Sequence, residues 1–463
     1  MLTILTAIAI ASGFFLLYPI LRGALQRAVG PLNASPVVPV ILTATHAFMP
    51  LIFVVERADG TELLDAGLTS SNKVMMAITG ATALYVAWKM AGDRRVWRLP
   101  FAMPYLPFTI MIGFDLASAA WSLVPAYTFY RAGELAVLFL ASILIFDRTT
   151  IERFLPGFLM VFTGIWLAAT APTWLESIAH GTVFSAAKHN LMPMVSIALL
   201  AHAMFLARGP RARLAEGAVA AIGFIIAGSA ASTAALIGFV PAILIASRSP
   251  PVRILGALTM ALCIVGFFVL MLGFSAFPGL LHFVSTVLQK PPEELTNATG
   301  RVEFWPAIIE GTRDRLFGSG FSAADRFLQL LVSASELRAR VGETELNLSS
   351  AHNMFLSAWA GTGLLGLTMA VTVLAVALRW GFRLTGGGRR FVIAFVFSLI
   401  LNGMTTPGIF QDWNVNVLAF VGVLAYARIR AGERPHTVRR ATAGEPPDLR
   451  FAGGLSPQGG MPG

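Results

Sequence analysis

The sequence predicts an all-α, polytopic transmembrane helical bundle with one large water-facing loop. Composition is the first reason. Hydrophobic residues make up 56% of the 463 and charged residues only 13%, against about 25% charged in ordinary soluble domains, and mean hydropathy is +0.72. The second reason is the recurrence of apolar runs of roughly 18 or more residues, the length needed to cross a bilayer as a helix. The third is a regular alternation of basic and non-basic connectors between those runs.

The first run, near 2–21, has no basic region ahead of it and Arg22 after it. A cleaved secretory signal has the opposite polarity, so the run reads as a retained span. Further spans are expected near 36–55, 73–91, 99–115, 131–147, 154–173, 189–207, 213–229, 230–246, 254–276, 352–378, 391–408 and 414–428. The pair 213–246 has almost no connector and reads as a bent hairpin or one broken helix, giving eleven to thirteen spans. Four regions follow: an N-terminal membrane bundle 1–276, a large loop 277–350, C-terminal membrane helices 351–430 and a tail 431–463. The tail is rich in Gly and Pro with few large apolar groups, too few to offset its conformational entropy, so it is expected to be disordered.

Charge orients these spans. One set of connectors carries Arg94, Arg95 and Arg98; Arg208, Arg211 and Arg213; Arg248 and Arg253; and Arg383, Arg389 and Arg390. The alternate connectors hold little beyond Arg57, Lys73, Arg131 and Lys188. Basic connectors stay in the cytoplasm. The 277–350 loop is therefore expected to face outward and the tail to lie on the cytoplasmic side. The net charge of +10 is a consequence of this rule and not a nucleic-acid signal. The single Cys263 excludes an intrachain disulfide.

The large loop holds most of the polar chemistry. It contains Arg301, Glu303, Glu310, Arg313, Asp314, Arg315, Asp325 and Arg326, and it ends at His352 and Asn353, where the chain turns apolar again. Trp121-Ser122, Arg131, Lys188-His189-Asn190 and Asp412 are expected at the same membrane surface.

Two sets of residues resemble a known family. Thr299-Gly300-Arg301-Val302-Glu303-Phe304-Trp305 and Leu316-Phe317-Gly318-Ser319-Gly320-Phe321 form the first; Ala351-His352-Asn353-Met354-Phe355-Leu356 and Gly363-Leu364-Leu365-Gly366 form the second. With Trp121-Ser122, Pro125, Arg131 and Lys188-His189-Asn190, they resemble the bacterial O-antigen ligase and polysaccharide polymerase family over roughly 120–430. The resemblance implies an inner-membrane glycosyltransferase acting on undecaprenyl-pyrophosphate-linked glycans, with lipid A core, another glycan or a protein as acceptor. Ligases of this family often carry an Arg in a Ser-Arg pattern where this chain has Gly228-Ser229-Ala230-Ala231-Ser232-Thr233. That form resembles the exopolysaccharide polymerase branch.

The chemistry can be argued from residue types as well. Transfer from a polyprenyl pyrophosphate needs cations to hold the diphosphate, a base for the acceptor hydroxyl and a groove for the lipid tail. Arg offers a planar, permanently charged fork to phosphate oxygens. A His of ordinary acidity, pKa about 6.5, is largely neutral at pH 7 and can take a proton. Arg301 and His352 are the expected catalytic pair, with Arg131, Lys188, Arg313, Arg315 and Asn353 as substrate contacts. No outward Asp-x-Asp occurs, so no metal and no cofactor is expected. The expected partners are the lipid-linked donor, a glycan or lipid acceptor and the bilayer, with no nucleic acid.

Plainer readings stand beside these. His352 could be an interfacial side chain at a helix start, with Ser349 or Ser350 as the N-cap. Arg301, Arg131 and Lys188 could be interfacial cations, and Arg313 to Arg326 a solvated amphipathic helix. His46 and His202 lie inside spans and read as neutral rings packed between helices. The competing function is a flippase for similar lipids, which would place charge deep in several spans.

Overall fold

The computed structural model describes residues 37–432 except 53–69, 93, 150, 182–186, 188–190, 229, parts of 274–300, 324–351 and 407. The first expected span, Lys188, Asp325, Arg326, Ser349, Ser350 and the 431–463 tail beyond Gly432 lie outside the described residues.

The regular secondary structure of the described residues is all helix, with no strand among them. In chain order the helices are α1 Val37–Ile52, α2 Ser70–Gly92, the short α3 Arg94–Arg98, α4 Leu106–Ala117, α5 Pro125–Arg148, α6 Ile151–Ala169, α7 Ala171–Ala179, α8 Met192–Phe205, α9 Pro210–Ile226, α10 Ala230–Ile245, α11 Pro250–Gly273, α12 Arg301–Thr312, α13 Met354–Arg383, α14 Gly386–Gly403 and α15 Val415–Gly432. Every expected span within the described residues coincides with a helix. By length and composition, the segments 73–91, 125–147, 151–169, 354–383 and 415–432 are each sufficient to cross a membrane. Others, such as α8, are apolar but shorter. The chain is a polytopic helical membrane protein.

The span expected at 99–115 begins later than its apolar pattern suggests. Residues 99–105 form turns and α4 starts at Leu106. Pro100 and Pro104 lack the N–H that a helix interior needs, and each disfavours helical backbone just before it. The 213–246 pair resolves into two helices with different neighbours. α9 packs on α8 and α6, whereas α10 packs on α14, α11 and α8.

Aromatic packing joins α4, α5 and α15 into the centre of the bundle. Phe108 meets Phe139 and Phe420 edge to face, with ring centroids 5.1 and 5.9 Å apart. All three rings are buried. By contrast α11 turns Ile254, Leu255, Leu258, Leu262 and Val265 outward, as a lipid-facing helix should.

α13 is not one continuous helix. Gly363 interrupts it with φ +69° and ψ −159°, a backbone region open essentially to glycine alone. This break places the functional site.

Candidate active site at the broken helix

A break inside a membrane helix leaves backbone groups without partners, and lipid offers none. An unbroken α13 would bond Leu364 N–H to Ala360 O and Leu365 N–H to Gly361 O. Here Ala360 O accepts from Ser319 N–H at 2.9 Å, Gly361 O accepts from Gly320 N–H at 2.8 Å, and Leu364 N–H donates to Leu316 O at 3.2 Å. The segment Leu316 to Phe321 is thus the plug that completes the broken helix.

Glycine makes this approach possible. A methyl group on Gly363 would overlap the Leu316 carbonyl, lying 2.6 Å from its carbon and 2.7 Å from Gly318 N. Gly320, at φ +102°, lies against Ser122, whose Cα would be 2.9 Å from an added Cβ. The plug also grips the turn between α4 and α5. Leu123 N–H donates to Ser319 O at 2.9 Å, Phe321 N–H to Ser118 Oγ at 3.0 Å and Thr128 Oγ1 to Phe321 O at 3.0 Å. Trp121 Nε1 donates to Phe317 O at 2.9 Å.

The sequence reading took 277–350 as water-facing throughout. Its described part differs: Ile308, Thr312, Gly318, Ser319, Gly320 and Phe321 are buried, because the glycines let backbone, rather than side chains, make the contact. α12, which Arg301 opens, packs on α13. Arg313 and Arg315 lie in the exposed turn that follows α12, with Arg313 Nε 3.6 Å from an Asp314 carboxylate oxygen. They do not continue a helix there.

At the start of α13, Asn353 is the N-cap. Its Oδ1 accepts from Phe355 N–H and Leu356 N–H, both at 3.0 Å. This corrects the expectation of a Ser349 or Ser350 cap. Such a cap contributes about 1 kcal/mol. Asn353 Nδ2 also donates to Met404 O at 3.3 Å, while Met354 lies directly over Gly403 and Gly408. His352, half-buried, has φ +47°, a left-handed backbone uncommon outside glycine. It stands immediately before the Asn353 cap.

Arg131 sits among acids. Nη1 donates to Glu134 Oε2 at 2.6 Å and Nη2 to Asp412 Oδ2 at 2.5 Å. Glu134 is buried, and its other oxygen meets His46 Nε2 at 2.8 Å and the Tyr130 hydroxyl at 3.2 Å. His46 in turn meets Trp413 edge to face at 4.9 Å. The chain therefore links α1, α5 and the 404–414 turn through one buried ionic network. Arg131 Nε, His46 Nδ1 and Trp413 Nε1 are buried without a hydrogen-bond partner.

Residue-by-residue reading missed most of this network. His46 and His202 are buried between helices as expected, and each also meets a buried carboxylate, His202 Nδ1 lying 2.7 Å from Glu216 Oε2. Asp115 on α4 is fully buried with neither carboxylate oxygen bonded. Ionisable groups are therefore buried within the bundle as well as carried on the large loop, where the contrast with a flippase had placed them. The available signal was the position of Asp115 and Glu134 within apolar runs, where an ionisable group marks a functional or paired site.

Residues 217–371 match a family model described as O-antigen ligase. That segment is similar to the O-antigen ligase family. It contains α12, the Leu316–Phe321 plug, His352, Asn353 and the break at Gly363, so the O-antigen ligase segment holds the joint just described. Arg131, Glu134 and Asp412 lie outside it. Comparison with curated protein sequences finds no match to the chain. Among the described residues, no group of three or more His, Cys, Asp or Glu side chains is placed to hold a metal ion.

Proposed function

We propose that the protein transfers or polymerises a glycan from a polyprenyl-pyrophosphate donor, of the undecaprenyl type, at the periplasmic end of the bundle in a bacterial inner membrane. The observation that carries this reading is the joint at Gly363 within the O-antigen ligase segment. Through it α12 and the exposed arginine turn pack against the helix whose start is the His352–Asn353 corner. These are the residue types that diphosphate binding and proton removal require.

In this reading, Arg301 holds the diphosphate with its bidentate fork and stabilises the charge that develops as it leaves. Arg313 and Arg315, exposed beside the joint, attract the diphosphate, and Lys188 contributes a further cation. His352 takes the proton from the acceptor hydroxyl. The hydroxyl oxygen forms the new bond to the anomeric carbon while the bond from that carbon to the phosphate oxygen breaks, and polyprenyl pyrophosphate leaves with the electron pair. Asn353 fixes the corner on which His352 stands. Arg131, its charge compensated by Glu134 and Asp412, sets the 404–414 turn beside Asn353 and offers its remaining N–H groups to the donor. The guanidinium groups fill the charge-neutralising part that a divalent cation plays elsewhere, so the transfer is metal-independent.

The test uses purified protein in detergent, with donor lipid and acceptor supplied together. His352→Ala is expected to lose transfer by about 10²–10⁴-fold, the usual worth of a positioned base, while retaining donor lipid. His352→Gln keeps a polar group of similar reach but takes no proton, and is expected to be nearly as inactive. Near-native turnover by the Gln variant removes His352 from the mechanism. Absence of product with the parent protein, when both substrates share one solution, favours lipid translocation instead.

A further inference from the structure

The opposite, arginine-rich end of the bundle holds a second charged constellation. Arg389 Nη2 and Arg253 Nη2 each lie 3.4 Å from the same oxygen, the Ser247 carbonyl in the turn between α10 and α11. Arg248, in that turn, is close enough for its charge to act on Arg389, as is that of Arg253. Two guanidinium groups on one carbonyl repel each other, and that oxygen carries no net charge to offset them.

The Arg389 guanidinium lies 5.1 Å from the centre of the Phe382 ring, but no carboxylate nearby in sequence compensates. No Asp or Glu occurs between Glu216 and Glu293, or between Glu345 and Asp412, so α10, α11, α13 and α14 bring no carboxylate. Arg253 and Arg389 also fall at the first turns of α11 and α14, where the helix dipole favours anions and opposes cations. α14 begins Gly386-Gly387-Gly388, with no side-chain bond from its N-cap Thr385 and open space around Gly386. Arg389 Nε is buried and bonded to nothing. A general preference for arginine at this face accounts for basic connectors. It does not account for three arginines gathered at two helix starts.

We infer that Arg248, Arg253 and Arg389 form a binding site for the phosphodiester of an anionic phospholipid headgroup. The lipid, rather than a soluble phosphate, is indicated by what adjoins the cluster. From Arg253 the outward stripe Ile254, Leu255, Leu258, Leu262 and Val265 runs along α11, offering an apolar track for acyl chains directly beside the guanidinium groups. The site is independent of the transferase reading, because it depends only on the bundle lying in a membrane.

Full-length protein can be released from nanodiscs of phosphatidylglycerol or phosphatidylcholine and its retained lipids counted by native mass spectrometry. The parent is expected to retain phosphatidylglycerol at least tenfold better, and millimolar inorganic phosphate should not displace it. Arg253→Gln/Arg389→Gln should lower retention about 25-fold, at about 5-fold for each basic group removed near a membrane surface. Arg248→Gln, an exposed position, should lower it about 5-fold and carries the test should the double variant fail to fold. Arg208→Gln, at the same end but outside the cluster, should lower retention clearly less than Arg248→Gln does. Equal retention of the two lipids, equal loss from Arg208→Gln, or unchanged retention in the Arg248 or double variant overturns the site. Displacement by inorganic phosphate overturns the lipid as its occupant.

Discussion

Gly363→Ala is the sharpest test of the joint. Alanine at φ +69°, ψ −159° carries backbone strain of about 1–3 kcal/mol. Its methyl group would overlap the Leu316 carbonyl, so the plug must move away from α13. That breaks the bonds Leu364 to Leu316, Ser319 to Ala360 and Gly320 to Gly361. Each contributes about 0.5–1.5 kcal/mol net, giving a total loss of roughly 3–7 kcal/mol. A protein is commonly stable by only about 5–15 kcal/mol, so the local structure should open before the bundle does. The assay pairs thermal unfolding in detergent with limited trypsin digestion at Arg313 and Arg315, which lie in the turn feeding the plug. The variant should melt earlier, be cut faster in that turn and lose transfer. Gly164→Ala is the control, because an added methyl there meets nothing within 4 Å, and its stability should change by less than about 1 kcal/mol. A Gly363→Ala protein with parental melting and parental digestion rate would show that the plug does not depend on this glycine.

Three further outcomes follow from the same geometry. Arg301→Lys replaces a fork by a point charge and should lower transfer roughly 30- to 1,000-fold, corresponding to about 2–4 kcal/mol; full activity at normal protein level would reduce Arg301 to an interfacial cation. Glu134→Ala leaves Arg131 and His46 without their shared carboxylate, and breaking a buried pair in this way commonly costs about 3–5 kcal/mol. Thermal melting should drop accordingly, and an unchanged melting temperature would mean that water replaces the carboxylate without penalty. For topology, reporter fusions after Thr344 should read as periplasmic and those at Gly463 as cytoplasmic; the reverse result inverts the proposed orientation.

The sequence by itself determined the membrane class, nearly all the helix positions and the segments that carry the family's motifs. These are local properties. Apolar length decides whether a segment is stable in lipid, proline decides where α4 starts, and a Gly-rich motif is visible wherever it falls. The sequence also nominated Arg301, His352 and Asn353, since their residue types suit phosphate binding, proton transfer and hydrogen bonding to substrate, but it placed the helix cap at Ser349 or Ser350 rather than at Asn353. Tertiary structure decided what those residues stand on. Hydropathy cannot reveal that the helix beginning at Met354 breaks at Gly363, because the apolar run continues unbroken through it. The break exists because Leu316, Ser319 and Gly320, more than forty residues earlier, supply its missing backbone partners. In the same way Arg131 looks like an isolated cation at the mouth of a span until the fold brings Asp412 to it from 281 residues away. An ion pair across that separation leaves no periodicity to read; only the packing of α1, α5 and the 404–414 turn brings the two charges into reach.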